Sequence, residues 1–386
     1  MATLLLIVIY IAFIGLGVPD SLFGAAWPAI YGEMSLPVSY AGIMSLACSV
    51  CTLIASLLSS RIINRFGTAK VTAISTVMTA AALALASFSG SFWFLLLLAV
   101  PLGFGGGAID AGLNNYVALH YNARQMSYLH CFYGVGVSIS PYLLSFALAG
   151  EGGWRGGYQW VALLQAGIAL TVIVTLPLWK KVAQKPGMVE EKAVTLTAAQ
   201  LLKVKGLKPA WVMFFTSCTV EYMCNAWGAT FLVEHKGLSQ ADAAGSVTLY
   251  FVGLALGRFF SGLLSGKLTP KKLVILGQGI LAVAVAALFL PIPAKLTWTA
   301  LFFVGLGIGP IYPNLMHLTP GFFGREVSQS VMGSQMAAAT LGFMVTPLIF
   351  APLAQICGLV MFPVYLAAMV LLLAVGTGAS KLKQIQ

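Results

Sequence analysis

Val100-Pro101-Leu102-Gly103-Phe104-Gly105-Gly106-Gly107-Ala108-Ile109-Asp110-Ala111-Gly112-Leu113-Asn114-Asn115 lies inside an apolar run from Phe92 to about Leu119. A charged carboxyl at the centre of a lipid-embedded helix costs at least ~2.5–3.5 kcal/mol. A chain that keeps Asp110 there is expected to turn it inward, towards other helices or water. Gly103, Gly105, Gly106 and Gly107 leave room for close helix approach. The stretch reads as a helix bordering a polar passage, with Asp110 facing it.

The composition sets the class. Charged residues make up 8% of the chain, against about 25% in soluble domains, and the mean hydropathy is +0.93. The apolar runs are continuous, not alternating over ~10-residue segments, so an α-helical bundle is expected and a barrel is not. The net charge of +11 is a matter of membrane topology and not of nucleic-acid binding. No cleavable signal peptide is read, because the first apolar run continues from Leu4 past Trp27. Cys48 and Cys51 form a C-x-x-C on a membrane helix with no second pair, which reads as helix packing and not as redox or zinc chemistry.

Twelve spans are predicted: 4–30, 38–60, 71–90, 92–119, 126–149, 158–179, 209–233, 243–265, 273–291, 297–318, 327–353 and 358–379. Each is long enough to cross a ~30 Å hydrocarbon core. With both termini cytoplasmic, Arg61, Arg65, Lys70, Arg124, Lys180, Lys181, Lys185, Lys192, Lys203, Lys205, Lys208, Lys267, Lys271, Lys272, Arg325, Lys381 and Lys383 all fall inside. Only Arg155, Lys236 and Lys295 fall outside, and Arg258 lies within a span. That asymmetry selects this orientation. The chain divides into an N-terminal six-helix bundle (1–179), a cytoplasmic linker (180–208) and a C-terminal six-helix bundle with a short tail (209–386). The linker carries Lys180, Lys181, Lys185, Pro186, Gly187, Glu190 and Glu191, and its stretch Thr195–Leu202 reads as a capped amphipathic helix.

The halves repeat. Ser60–Lys70 aligns with Gly262–Lys272 at a shift of 202, and the same shift carries Gly103, Gly105 and Gly107 onto Gly305, Gly307 and Gly309. One offset at two distant places indicates internal duplication.

Ser60-Arg61-Ile62-Ile63-Asn64-Arg65-Phe66-Gly67-Thr68-Ala69-Lys70 resembles the loop signature of the major facilitator superfamily, Gly-x-x-x-Asp-Arg-x-Gly-Arg-Arg/Lys. Arg65 and Gly67 match; Ser60 stands for the first Gly, Asn64 for the Asp, and Thr68 and Ala69 where basic residues are usual. The resemblance implies a conformational latch at Asn64, Arg65, Gly67 and Lys267, with a weakened charge network. It covers the whole chain through span count, linker and duplication. It implies an all-α membrane fold of two pseudo-symmetric six-helix bundles around a central cavity. A narrower likeness rests on Ile109–Asn115 and on Tyr128-Leu129-His130-Cys131-Phe132-Tyr133-Gly134-Val135-Gly136. These are similar to the fucose–glucose/galactose–proton symporters, whose acidic residues in spans one and four fall here on Asp20 and Asp110. The likeness implies proton coupling for the first and sugar recognition for the second.

Asp20, Asp110, Glu221 and Arg258 lie within spans, with His130 a fifth ionisable candidate. Desolvation disfavours a charged carboxylate, so such groups can carry protons. Asp20 follows Pro19, where a kink or break is expected; the alternative is an Asp capping a broken helix. Asn114, one turn beyond Asp110, shares its face above a glycine-lined groove, and a carboxylate with an amide suits hydroxyl recognition. Glu221, with Asn225 a turn later and Trp227 beyond it, is a coupling group or the partner of Arg258 in a structural pair. His130 pairs with Asp110 or Asp20 or bonds locally. Phe23, Trp27, Tyr116, Tyr133, Trp227, Tyr250 and Tyr312 offer aromatic faces near the expected cavity. Asn115, Asn314 and Gln335 add polar groups. Trp154, Tyr158 and Trp160 read as interface anchors.

No Gly-x-x-x-x-Gly-Lys-Ser/Thr occurs, so ATP is not the expected energy source. No dense His/Cys cluster and no Ser-His-Asp arrangement is drawn, so no enzyme, metal or cofactor is expected. A proton gradient, possibly sodium, would supply the energy. The expected function is alternating-access, proton-coupled uptake of a sugar or similar small polar solute by a monomer in a bacterial inner membrane. The alternatives are a proton-antiport exporter of drugs or hydrophobic metabolites, favoured by the aromatic and Met content, and a non-transporting sensor.

Overall fold

The computed structural model describes residues 2–37, 40–183, 193–237, 240–290 and 294–380. Lys185, Pro186, Gly187, Glu190, Glu191 and Lys192 of the linker, Lys381 and Lys383 of the tail and the side chain of Lys295 lie outside the described residues. The described chain is helical throughout: α1 (Ala2–Glu33), α2 (Tyr40–Phe66), α3 (Thr68–Ser87), α4 (Phe92–His120), α5 (Ala123–Ala149), α6 (Gly153–Val174), α7 (Leu176–Ala183), α8 (Ala198–Lys203), α9 (Leu207–Lys236), α10 (Gln240–Leu264), α11 (Pro270–Ala287), α12 (Ala294–Ile308), α13 (Ile311–Phe323), α14 (Ser328–Cys357) and α15 (Met361–Ala379). Among the described residues, ten segments are long and apolar enough to cross a membrane, and Leu249–Leu264 is a shorter apolar helix. α9, at 30 residues, has the length, but Thr216, Ser217, Thr219, Glu221 and Asn225 make its centre more polar.

The spans depart from expectation in three places. α1 runs without a break through Pro19 to Glu33, so Asp20 caps no broken helix. The tenth span is divided into α12 and α13 around Gly309-Pro310, because proline has no N–H for the ladder. The sixth stops at Thr175, ahead of Pro177, and resumes as α7, since the residues before a proline leave the helical region readily.

The chain forms two compact units, Met1–His120 with Leu129–Thr195 and Tyr121–Tyr128 with Leu196–Gln386. In the first, α4 packs along α2 and α3; in the second, α12 packs along α10 and α11. Glycines set both contacts. A Cβ on Gly103 would strike the Cys48 carbonyl, and one on Gly107 would lie 2.6 Å from the Thr52 carbonyl. Across the shift of 202, Gly305 meets the Tyr250 carbonyl and Gly309 that of Leu254. On the other face Gly105 meets Ser75 and Thr79, while Gly307 meets Gly277 and Leu281. Every partner is displaced by the same 202 residues, so the duplication extends to the packing. The expected groove is corrected by the same contacts: Gly103 and Gly107 are filled by α2, and only Gly106 looks towards α1, at Leu16.

The first unit has an apolar core in which Trp27, Phe92, Trp154 and Tyr158 meet. Trp154 and Tyr158 are packed inside, at 2% and 3% exposure, not at an interface as anchors, whereas Trp160 is exposed. The indole of Trp154 donates to Glu33 (2.7 Å), Arg155 pairs with the same carboxylate at 2.5 Å, and Arg155 also donates to the Ser89 carbonyl. The hydrogen bond from Arg155 is the main force holding the Glu33 carboxyl below its usual range. In the linker, Thr197 caps α8 in a capping box with Gln200, as the Thr-x-x-Gln spacing predicts, and Leu201 packs against Leu207, Ala210 and Val331.

If the glycine contacts hold the two units to one design, Gly103→Ala and Gly305→Ala should each destabilise by about 1–3 kcal/mol, the range for overpacking. Gly134→Ala is the control, since nothing lies within 4 Å of its Cβ position. Thermal unfolding in detergent measures all three. A loss at Gly103 with none at Gly305 would break the equivalence.

Candidate functional site

Two polar groupings form on the first unit. α1 and α5 cross closely because Gly17 lies under the Tyr133 carbonyl and Gly136 under that of Ile14. That approach brings the Tyr133 hydroxyl to Asp20, donating to Oδ2 at 2.7 Å. Ser21 donates to the Val137 carbonyl at 2.6 Å, and Ser140 donates to that of Val18. Asp20 is itself exposed. Tyr133, expected to offer a ring to a ligand, thus presents its hydroxyl to the carboxyl.

On α4, Asn114 donates through Nδ2 to Asp110 Oδ1 (2.6 Å) and to the Asp110 carbonyl (3.0 Å). Its Oδ1 lies 3.1 Å from His130 Nε2. With the amide turned this way, His130 must carry hydrogen on Nε2. The imidazole rests edge-on against Phe13, with centroids 5.6 Å apart. Asn114 is fully buried, His130 is 5% exposed and Asp110 is half-buried. His130 thus meets Asn114, which in turn meets Asp110. Asp20 lies close enough to Asp110 and Cys48 to act on both electrostatically. Asn115 is buried in α4. Phe23 leans on Trp27 (5.2 Å), and Trp27 is a 5%-exposed core residue. Tyr116 is likewise buried, against Trp179.

On the second unit, Glu221 pairs with Arg258 at 3.5 Å. Asn225 is exposed, and Trp227 meets Phe350 edge-on (5.0 Å). Tyr312 meets Phe214 edge-on (5.1 Å). Asn314 is fully buried and donates to Ser261 (2.8 Å) and to the Pro310 carbonyl (2.6 Å), close to the break between α12 and α13. Gln335 accepts from Thr319 (2.9 Å) in a small pocket with Met213, Phe214 and Phe323, away from Glu221. Tyr250 is fully buried, its ring turned from any aqueous face.

At the loop between α2 and α3, Asn64 clasps the linker. Its Nδ2 donates to the Ala193 carbonyl (2.5 Å) and to Thr195 Oγ1 (3.3 Å), and its Oδ1 accepts from the Ala193 N–H (2.8 Å). An amide both donates and accepts; an ionised Asp accepts only. Gly67 has φ 78°, the left-handed region open to glycine. Arg65 and Lys267 are both exposed. Ala193 and Thr195 are partners that no sequence spacing announces, because they lie far along the chain from Asn64. Asn64→Asp should free residues 193–195, at about 1–3 kcal/mol for the unmet groups. Faster hydrogen exchange at Ala193 is expected, and unchanged exchange would contradict the clasp.

Residues 9–347 match the family model of the Major Facilitator Superfamily. The chain is 25% identical to the "nitrite extrusion protein" of Bacillus subtilis (strain 168), covering 82% of this chain and 79% of that one. It is 24% identical to the 3-(3-hydroxy-phenyl)propionate transporter of Escherichia coli (strain K12), covering 63% and 61%. Among solved structures, the transporter FucP in its outward conformation superposes with a TM-score of 0.79 at 13% identity, covering 97% of each chain. The proton:xylose symporter XylE gives 0.78 at 14% identity, covering 97% of this chain and 94% of that one. The fold neighbours and the polar groups on membrane helices agree with the family model: the chain is a multi-pass membrane transporter of the Major Facilitator Superfamily, and not an enzyme.

Proposed function

We propose that the chain is a proton-coupled carrier of a sugar or similar small polar solute, working inward by alternating access. The observation that carries this is the Asp110–Asn114–His130 chain on the first unit, with Asp20 and Tyr133 beside it. Carboxyls retained on membrane helices mark proton or substrate pathways. Asn114 links the charge of Asp110 to the hydrogen on His130, so a proton gained at Asp110 weakens the pull on the amide and on the imidazole beyond it. Asp20 and Asp110 repel when both are ionised, so loading one proton relieves both. Coupling follows if the protonated form and the loaded form prefer the same conformational state.

The sugar-symporter neighbours support this reading in fold alone. The expected substrate contacts are Asp110, Asn114, Asn115, Phe23, Trp27 and Tyr133 on the first unit and Asn225, Trp227, Tyr312, Asn314 and Gln335 on the second. The latch of the resemblance becomes, in this reading, the Asn64 clasp on the linker, with Gly67 shaping the turn and Arg65 and Lys267 free to meet lipid headgroups. A monomer in a bacterial inner membrane with both termini cytoplasmic completes the proposal. Export by proton antiport is the second reading, favoured by the relative named for nitrite extrusion.

In proteoliposomes, one coupled proton allows accumulation of about tenfold per pH unit. Asp110→Asn should abolish uphill uptake and spare exchange of solute between equal pools. Undiminished pH-driven accumulation in the variant would contradict the assignment. Outward pumping from loaded vesicles on external acidification would select the antiport reading.

A further inference from the structure

The first turns of α5, through Tyr128, belong to the second unit, and they seat on the end of α10. A Cβ on Gly262 would strike the Tyr128 ring, and one on Gly266 would lie 3.1 Å from Arg124 Nη2. Beside that notch the Ser127 hydroxyl lies 3.2 Å from that of Ser261. Both serines are buried, at 0% and 2% exposure. Ser261 Oγ in turn accepts from Asn314 Nδ2 at 2.8 Å. The same Nδ2 donates to the Pro310 carbonyl at 2.6 Å, and Pro310 stands where the tenth span divides into α12 and α13. One line of hydrogen bonds therefore runs from the start of α5, across α10, to the break in the tenth span.

The line is incomplete at one atom. Asn314 is fully buried, yet its Oδ1 has no hydrogen-bond partner. An unmet buried acceptor destabilises the arrangement that holds it. A serine hydroxyl has one hydrogen to give. Because Asn314 donates to Ser261, the hydrogen of Ser261 is free to point at Ser127. When Ser127 withdraws, that hydrogen loses its acceptor inside a buried site. Asn314 Oδ1 is an unmet acceptor on the same amide that already touches Ser261. Turning the amide to receive the hydrogen draws Nδ2 away from the Pro310 carbonyl.

We propose that the seating of α5 on α10 and the shape of the α12–α13 break form one two-position relay, with the Asn314 amide as its moving part. In the seated position Ser127 receives the Ser261 hydrogen, and Nδ2 ties the Pro310 carbonyl. In the unseated position Oδ1 receives that hydrogen, the Pro310 carbonyl is released and the break loosens. Each position leaves unmet an acceptor that the other satisfies, so the element has two discrete arrangements between which a modest bias selects. The relay does not depend on the solute or on the coupling ion, so its failure would leave the proposed function standing.

The test is hydrogen exchange of the purified full chain in detergent. It is read at residues 123–128, at 311–314 and, as a control, at 175–178, the break between α6 and α7 in the first unit. Ser127→Ala should speed exchange at 311–314 about two- to tenfold, the range for one lost hydrogen bond, and leave 175–178 as in the parent. Gly262→Ala should do the same by expelling the Tyr128 ring. Gly262→Ala with Tyr128→Ala removes the clash and should return 311–314 towards the parent. Faster exchange at 123–128 with parental exchange at 311–314 in both single variants overturns the relay, because the seating is then a local matter. An equal rise at 175–178 overturns it as well, since the loosening is then general. A double variant that exchanges at 311–314 as fast as Gly262→Ala overturns it too.

Discussion

A polar group taken into hydrocarbon must find its partner inside the protein, because the bilayer supplies none. Many polar side chains on the membrane helices meet that constraint in one of three ways, while the hydroxyls of Ser56, Tyr250 and Thr297 are buried without a hydrogen-bond partner. Ser and Thr return their hydroxyls to their own helix, as Thr72, Thr76 and Thr79 do on α3. Amides bridge, as Asn114 does between Asp110 and His130 and Asn314 does towards Ser261. Charges pair, as Glu221 does with Arg258. Asp20 differs in kind: it takes a hydrogen bond from a tyrosine hydroxyl and stays exposed.

Close packing makes these partnerships possible. The small residues on α4 and α12 let backbones approach until carbonyls fill the space a side chain would occupy, and the Gly17–Gly136 crossing does the same for α1 and α5. Van der Waals contact between helices replaces the hydrophobic drive that is missing between helices in lipid. The Asp20–Tyr133 bond sits beside such a crossing, so the geometry of a proposed coupling group depends on glycines that touch no solute.

Much of the fold was legible beforehand. Apolar run lengths placed the spans, Thr197 and Gln200 announced the capped helix of the linker, and the shift of 202 foretold which glycines are equivalent. Gly309-Pro310 was visible as well, but a continuous apolar run hid the break it makes. The direction each glycine faces was not legible, since helical spacing tells which residues share a face and not which helix covers it. The site was read in part. Asp110 and Asn114 sit one turn apart, a local relation that spacing reveals. Tyr133 at Asp20 and Ala193 at Asn64 are joined by tertiary contact over more than a hundred residues, and no local pattern encodes them. Trp154 and Tyr158 were misjudged because an aromatic near a span end packs inward or anchors outward with the same sequence signature.

The two units also differ where the duplication would make them alike. α1 and α9 cross α5 and α14 at matching glycines, Gly136 over Ile14 and Val18, and Gly342 over Phe215 and Thr219. That alignment places Glu221 opposite Asp20 in the repeat. One carboxyl faces a tyrosine hydroxyl and the other an arginine, so one ancestral position now serves two electrostatic environments. The central claim is that membrane-embedded carboxyls change their protonation as the carrier works. Infrared difference spectroscopy of the protein in lipid, recorded on lowering the pH, reads this directly. The account predicts a protonated-carboxyl band that grows as the pH falls and is lost in Asp110→Asn. A spectrum with no such band, or one unaltered by that substitution, would contradict it.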